Sequence, residues 1–286
     1  MTFINSLKEI DGKIILKKNE PPSPELIISN EKSILVCFLD TETTGVNKLN
    51  DQIIELAFKV VEFEESSGKI ISIKCEYESF NQPSKSIDNK ITTLTGINNE
   101  MVKNKEIDWS KVDSLLKDVD FIVAHNARFD RAFVDRHSSI SPKKIWACSI
   151  KDIDWFSKGF SNQKQELLCY WHGFYCDAHR AMNDVDALIQ LMIHPHYDKN
   201  RPILELIKNA KKIVCKILVT NFPYDEQKKD IIKSQGYKWN TKEKMWYKEI
   251  FQKELEFEKN YLSETVYDGQ FRGSYEEINP NEKYKS

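Results

Sequence analysis

Every residue from position 34 to 39 is apolar, and the run stops at Asp40, which predicts a strand buried on both faces of a sheet. A turn at Thr43, Thr44 and Gly45 is expected next. Two β-rich stretches follow at 53–63 and 70–80, and the Ser66-Ser67-Gly68 loop between them predicts a hairpin, so the first three strands should be antiparallel neighbours. Helical periodicity over 109–116 precedes a short strand at 121–124, a helix at 127–137 and a further strand at 145–148. Helical segments at 151–156, 165–172 and 180–193 complete the pattern. Elements interleaved in this way predict an α/β fold, a mixed sheet flanked by helices.

The organisation along the chain is uneven. Residues 1–32 are weakly patterned and contain Pro21, Pro22 and Pro24, which lack amide donors, so they read as an N-terminal arm. A main domain spans 33–200. Pro202 and the polar stretch 209–212 mark a linker over 201–212, and a small α+β module follows over 213–265. Within it, 213–219 reads as a strand, 225–234 as a helix and 237–247 as a hairpin, with Trp239, Trp246 and Tyr247 supplying much of the core. The charged stretch 266–286 is expected to be disordered.

Charge changes this picture once it is divided. The chain carries a formal net charge of −2, yet positions 208–248 hold eleven lysines against four acidic residues, a local +7 that leaves −9 for the rest. The module therefore reads as basic and suited to a polyanion, with a tryptophan-cored domain bearing a merely solvated lysine face as the equal alternative. The first thirty residues hold no apolar stretch of signal-peptide length, and no later run is long enough to span a bilayer, which points to the cytoplasm and away from membranes. Six cysteines without a CxxC pair read as reduced thiols. Cys169, His172, Cys176 and His179 are only loosely zinc-like in spacing.

The candidate chemistry lies in three clusters. Asp40 and Glu42, two apart at the end of a buried strand, present their carboxylates on one side of an extended chain. His125-Asn126-Ala127-Arg128-Phe129-Asp130 begins where another strand ends and puts Asp130 in the first turn of a helix, although Asn126 as a cap and Asp130 at the positive helix end would also suit a purely structural role. In His179-Arg180-Ala181-Met182-Asn183-Asp184 the two functional candidates are five apart. They would diverge by about 140° on one helix, so convergence needs His179 in the loop ahead of it. Asp186 should face nearly the opposite way.

Together, Asp40-x-Glu42, His125-Asn126-x-x-Phe129-Asp130 and His179-x-Ala181-x-x-Asp184 resemble the three motifs of the DEDD exonucleases in their histidine-containing (DEDDh) branch, which includes the proofreading epsilon subunit of bacterial DNA polymerase III. Residues 92–97 resemble that family's substrate loop, and the segments around Trp146 and Trp155 look closer to stand-alone epsilon-like enzymes than to oligoribonucleases. The resemblance covers about 34–193. It implies a ribonuclease H-like five-stranded mixed sheet, two Mg2+ or Mn2+ ions and 3′-to-5′ hydrolysis at the 3′ end of single-stranded DNA, with RNA as the alternative substrate and a DNA polymerase or repair protein as a partner.

Two divalent ions about 3.5–4 Å apart can activate the nucleophile, offset charge at phosphorus and assist the leaving 3′-oxygen, and hard carboxylates select such ions. By resemblance, Asp40 bridges the metals, Glu42 and Asp184 complete one site, Asp130 supports the other, and His179 is the base. An imidazole suits proton transfer near neutral pH. Thr43, Thr44 and Gly45, with Thr95, Gly96, His125 and Asn126, are expected to meet the substrate, and Phe129 is either a base-stacking wedge or core. The 222–247 stretch, with Phe222-Pro223-Tyr224, Asp230, Gly236-Tyr237-Lys238-Trp239-Asn240 and Met245-Trp246-Tyr247, resembles a small uncharacterised module attached to bacterial DNA-metabolism proteins. The rival reading is a non-catalytic, polymerase-associated subunit, and the intact set of five residues argues against it. An iron oxygenase would need an H-x-D pair suitably placed beside a second histidine, and that reading leaves Asp40 and Glu42 unused; no P-loop glycine pattern is present.

Overall fold

The computed structural model describes residues 8–25 and 32–285, and the remainder of the expected arm and the last residue lie outside them. The chain divides into two compact units, one of residues 1–210 with 284–286 and one of 211–283.

In the first unit, short strands β1 (Lys8–Ile10), β2 (Lys13–Ile15) and β3 (Lys17–Lys18) precede the long strands β4 (Ser33–Thr43), β5 (Ile53–Glu64) and β6 (Ile70–Phe80). Helices α1 (Asn89–Thr95), α2 (Asn99–Val102) and α3 (Trp109–Leu116) lead to β7 (Phe121–Ala124), α4 (Ala127–Val134) and β8 (Ile145–Cys148). The unit continues with α5 (Gln165–Trp171), β9 (Phe174–Tyr175), α6 (Ala181–Ile193) and α7 (Pro202–Ala210). The main sheet has the order β6-β5-β4-β7-β8, with β4 to β6 antiparallel and β7 and β8 parallel to β4. This is the five-stranded mixed sheet expected.

The sheet is covered on both faces. Val36 and Phe38 of β4 pack with Val185, Leu188 and Ile189 of α6, whereas Cys37 and Leu39 pack with Ala127, Phe133 and Val134 of α4. Period-two alternation along β4 thus assigns even positions to the α6 side and odd positions to the α4 side. Asp40 and Glu42 are even. Burying two aliphatic layers stabilises the unit at roughly 25 cal/mol per Å² of apolar surface removed from water.

Two expectations fail here. The supposed linker 201–212 contains α7, whose Ile203, Leu206, Ile207 and Ala210 recur at i, i+3, i+4 and i+7 and are buried in the α6-side core. Pro202 opens this helix, where its missing amide costs nothing. The segment 151–156 is turns rather than helix, held by Asp152 Oδ2 accepting from Cys148 N and by the Trp155 indole donating to Ser149 O. The arm is tied down through β3, which pairs in parallel with β9.

The second unit runs β10 (Val214–Val219), α8 (Glu226–Ser234), β11 (Lys238–Asn240), β12 (Met245–Phe251), α9 (Leu255–Thr265) and β13 (Ser274–Ile278). Its four strands are antiparallel in the order β11-β12-β10-β13, the β-α-β-β-α-β arrangement of split βαβ folds. The stretch 266–286 is consequently not disordered, because β13 pairs along Val214–Leu218 and Tyr284 is buried in the first unit's core, donating to Asp152 Oδ2. Among the described residues no helix is long and apolar enough to cross a membrane.

Candidate active site

Three elements bring carboxylates to one end of the sheet. Asp40 and Glu42 stand on β4, facing α6, and Asp184 lies in the first turn of that helix. Their ligand atoms fall within 4.8 Å of one another, a grouping able to hold a metal ion. The donor set is entirely hard oxygen, which fits magnesium or manganese rather than zinc. The loosely zinc-like residues do not form such a set: His172 is bonded to Leu168 O and to the Tyr197 hydroxyl.

His179 reaches the cluster as convergence required, from the loop. Its φ of 64° is left-handed, and its backbone N–H donates to Asp184 Oδ2 at 2.8 Å. The imidazole is exposed and lines a cleft of about 680 Å³ together with His125, Asn126, Phe156, Gln165 and Asp184. Gln165 Nε2 donates to Asp184 O, which further fixes the acid. Asp186 points away as expected and pairs with Lys59 at 2.7 Å.

Asp130 arrives from the other face. β7 pairs with β4 only through Phe38, so the next part of that β4 edge is unpaired, and Asp130 of α4 closes it. Its Oδ1 accepts from Thr41 N at 3.1 Å and from Thr41 Oγ1 at 2.8 Å. The fourth carboxylate therefore stands beside the trio, bound to the strand that carries two of its members, and not inside it.

All four acids hold their protons more tightly than free carboxylates do. Burial is the main cause in every case: it lifts Asp184 to about 6, Asp130 to about 7 and Glu42 to about 8, and raises Asp40 well above the usual carboxylate range. Mutual repulsion adds to the rise for Asp40 and Glu42, while the His179 amide pulls Asp184 back and the Thr41 bonds pull Asp130 back. Carboxylates this crowded cannot all ionise without compensating positive charge. A divalent cation would supply it.

Sequence reasoning missed a clamp behind the site. Glu55 on β5 lies opposite Glu42 and is fully buried. Its carboxylate accepts from Arg180 Nε at 3.1 Å, Arg180 Nη2 at 2.8 Å and Ala181 N at 2.9 Å, which pins the residues between His179 and Asp184 to the sheet. Arg180 also lies over the Phe80 ring. The signal was a lone acid inside the apolar run Ile53-Ile54-Glu55-Leu56-Ala57, which had to find a partner.

The other expected substrate residues take varied positions. The hydroxyls of Thr43 and Thr44 serve their own loop, donating to Gly45 O and Asp51 Oδ1, and a Cβ at Gly45 would lie 2.6 Å from Asp51 Oδ2. Thr95 donates to Ile91 O and Gly96, with φ 72°, caps α1, so both are seen in local structure. Asn126 is left-handed and makes no side-chain cap, against the capping role weighed for it. His125 Nδ1 is bonded to Ser149 Oγ, while its buried Nε2 has no hydrogen-bond partner among the described residues, and the residue lines the cleft. Phe129 is half-buried against Phe133 and the α4-side core.

Comparison with known proteins places the first unit in a family. The model of the RNase T exonuclease family matches residues 37–192. The PolC-type DNA polymerase III of Listeria innocua is 35% identical over 188 residues, 62% of this chain and 12% of that protein. The 3′-5′ exonuclease DinG of Bacillus subtilis is 36% identical over 157 residues, 52% of this chain and 16% of that one. The chain spans only about a tenth of the length of such curated relatives. A solved structure of exonuclease X in complex with 5′ overhanging duplex DNA superposes with a TM-score of 0.44 at 20% identity, covering 59% of this chain and 99% of that one.

Proposed function

The chain belongs to the RNase T exonuclease family, and from that membership we propose that it removes nucleotides from the 3′ end of single-stranded DNA by hydrolysis assisted by two Mg2+ or Mn2+ ions. The observation that carries the reading is the convergence of Asp40, Glu42 and Asp184 within 4.8 Å beside a histidine-lined cleft.

In this reading Asp40, Glu42 and Asp184 hold the divalent ions, and Asp130 anchors β4 next to them while aiding the second. Bound ions would supply Lewis-acid compensation for the nucleophile and the leaving oxygen. His179, exposed at the rim and held by its amide on Asp184, takes the proton from the attacking water. His125 Nε2 and the amides of the Thr43 to Gly45 loop orient the terminal nucleotide. Glu55 and Arg180 keep the His179 segment against the sheet, and a DNA polymerase is the partner the relatives' names suggest.

The test uses oligonucleotides labelled at the 5′ end, single- and double-stranded, in DNA and RNA. With Mg2+ the expected product is a ladder shortened from the 3′ end, strongest for single-stranded DNA and abolished by EDTA. Release of the 5′ label as a mononucleotide at the outset, or hydrolysis undiminished by EDTA, refutes the assignment.

A further inference from the structure

Folding redistributes the lysines that make the second unit look basic. The acidic residues of α9, β13 and their connection offset much of the run, and specific pairs form: Lys228 with Asp268, Lys248 with Glu258, Lys229 with Glu226 and Lys216 with Glu243. Two aromatic rings of the sheet are likewise taken, Tyr247 by Lys216 and Phe251 by Lys212 and Lys283. Four lysines remain. Lys233, Lys238, Lys242 and Lys244 are exposed and make no ion pair among the described residues.

These four are not scattered. Lys238 lies on β11, an edge strand, Lys242 and Lys244 in the turn to β12, and Lys233 in the last turn of the helix that feeds β11. Glu243, the acid among them, is engaged by Lys216 and by the Asn240 amide. Next to Lys238 stands Trp239, 47% exposed, whereas its cross-strand neighbour Trp246 is 8% exposed and belongs to the core. The two indoles meet edge-on at 5.3 Å, so Trp246 braces Trp239 while much of the latter's surface faces water. The opposite edge strand, β13, carries exposed Glu276 and Glu277 instead. One sheet thus has a cationic, aromatic edge and an anionic one.

We infer that the β11 edge of the second unit is a binding site for single-stranded nucleic acid, separate from the acidic cluster, with Trp239 stacking on a base and Lys233, Lys238, Lys242 and Lys244 meeting phosphates. Side chains alternate along β11, so Lys238 and Trp239 flank the strand on opposite faces and a single strand running along the edge meets both. A duplex conceals its base faces from such a ring. A lone exposed tryptophan beside unpaired lysines combines the two sequence-tolerant interactions that hold single strands, base stacking and counterion release. The site rests on the reading that the chain acts on nucleic acid and extends it to a second contact that would retain a long substrate.

The test uses the full chain carrying Asp184→Asn to stop hydrolysis, with fluorescent oligodeoxyuridylate and oligouridylate, which differ only in the sugar, as probes across a salt series. Trp239→Ala should weaken binding about 5- to 100-fold and Trp239→Phe much less. Glutamine at all four lysine positions should reduce the slope of log affinity against log salt by about 3. Equal loss on both probes marks a backbone-and-stacking site, and loss on one alone restricts the ligand to that sugar. Parental affinity and salt slope in both variants, with thermal melts unchanged, overturn the proposal, as does displacement of the oligonucleotides by polyglutamate at equal charge concentration. The same substitutions in the Asp184 chain should leave turnover of a trinucleotide at the parental rate. Because that turnover depends on the exonuclease reading alone, the two ideas fail separately.

Discussion

The two units treat charge in opposite ways. At the open end of β4 the first unit gathers Asp40, Glu42, Asp130 and Asp184, all with affinity for protons raised above the ordinary carboxylate range by burial. The second unit lets its ions find one another, as Lys248 finds Glu258 at 3.0 Å and Lys228 finds Asp268 at 3.0 Å. Self-compensated pairs hold a fold together and call for no ligand. An uncompensated buried cluster opposes folding and persists where something outside the chain completes it. The contrast is what directs the functional reading to the first unit's acids and, in the binding site proposed on the second unit, to the four lysines that form no ion pair among the described residues.

The largest effect should come from removing a member of the uncompensated set. Asp40→Ala or Asp184→Ala is expected to lower hydrolysis on the order of 10³-fold or more, as loss of a group that stabilises developing charge does. Neither change opens a cavity in the core, so thermal stability in EDTA should hold or rise while oligonucleotide binding survives. Near-wild-type turnover in either variant would break the comparison, since the cluster would then be an unrelieved defect.

His179→Ala comes next, with an expected loss of roughly 10²- to 10⁴-fold. Because Asp184 is held by the backbone amide of residue 179 and not by its ring, the metal affinity of the variant should match the parent's. Calorimetric titration with Mn2+ and a pH–rate profile separate the roles: a base leaves binding intact and removes the acidic limb. An unchanged limb excludes it.

The Glu55–Arg180 clamp sharpens the contrast, because it is a self-compensated pair inside the first unit. Arg180→Ala strands a buried carboxylate, and breaking such a pair costs toward the low end of about 3–5 kcal/mol, given that Arg180 is 37% exposed. Turnover should fall about 10- to 100-fold as the His179 segment loses its hold, an effect on positioning of the scale expected from small misplacements. The double variant Glu55→Met with Arg180→Met removes both charges and should recover stability without recovering rate. Recovery of both would make the clamp purely structural.

How much of this was legible depended on whether the cause was local. The three motifs could be read because each is a short segment whose geometry follows from strand alternation or a helix start, and α3, β7 and β8 fell where periodicity put them. What holds Asp130 there, the Thr41 amide and hydroxyl, could not, since it depends on β7 ceasing to pair at Phe38. Helix α7 carried its signal in Ile203, Leu206, Ile207 and Ala210, but Pro202 was weighted as a breaker when it sits at the helix start. Strand β13 had no signal of its own: Ser-Tyr-Glu-Glu-Ile is hydrophilic and becomes a strand only beside Val214–Leu218. The +7 of the lysine run was true of the sequence and misleading for the surface, because the neutralising acids come from α9 and beyond.

The smallest effect tests the comparison directly through pH. Unfolded carboxylates titrate near 4, whereas Asp184, Asp130 and Glu42 titrate at about 6, 7 and 8 in the folded protein, with Asp40 also raised. The folded state therefore binds these protons more tightly than the unfolded one. Their contribution to stability is fully present below about pH 4 and is lost as pH rises through 6 to 8. In EDTA the thermal midpoint should carry this loss, and Mg2+ should restore it, because the ion replaces the protons as compensating charge. The midpoint gain on adding Mg2+ should accordingly be smallest near pH 5 and largest near pH 8, and Asp184→Asn should flatten that dependence. The surface pairs of the second unit lie outside this linkage, so Lys228→Gln, which leaves Asp268 exposed, should shift every midpoint equally and leave the Mg2+ increment unchanged. A Mg2+ increment independent of pH would mean that the acids are compensated within the chain after all, and the difference between the two units would disappear.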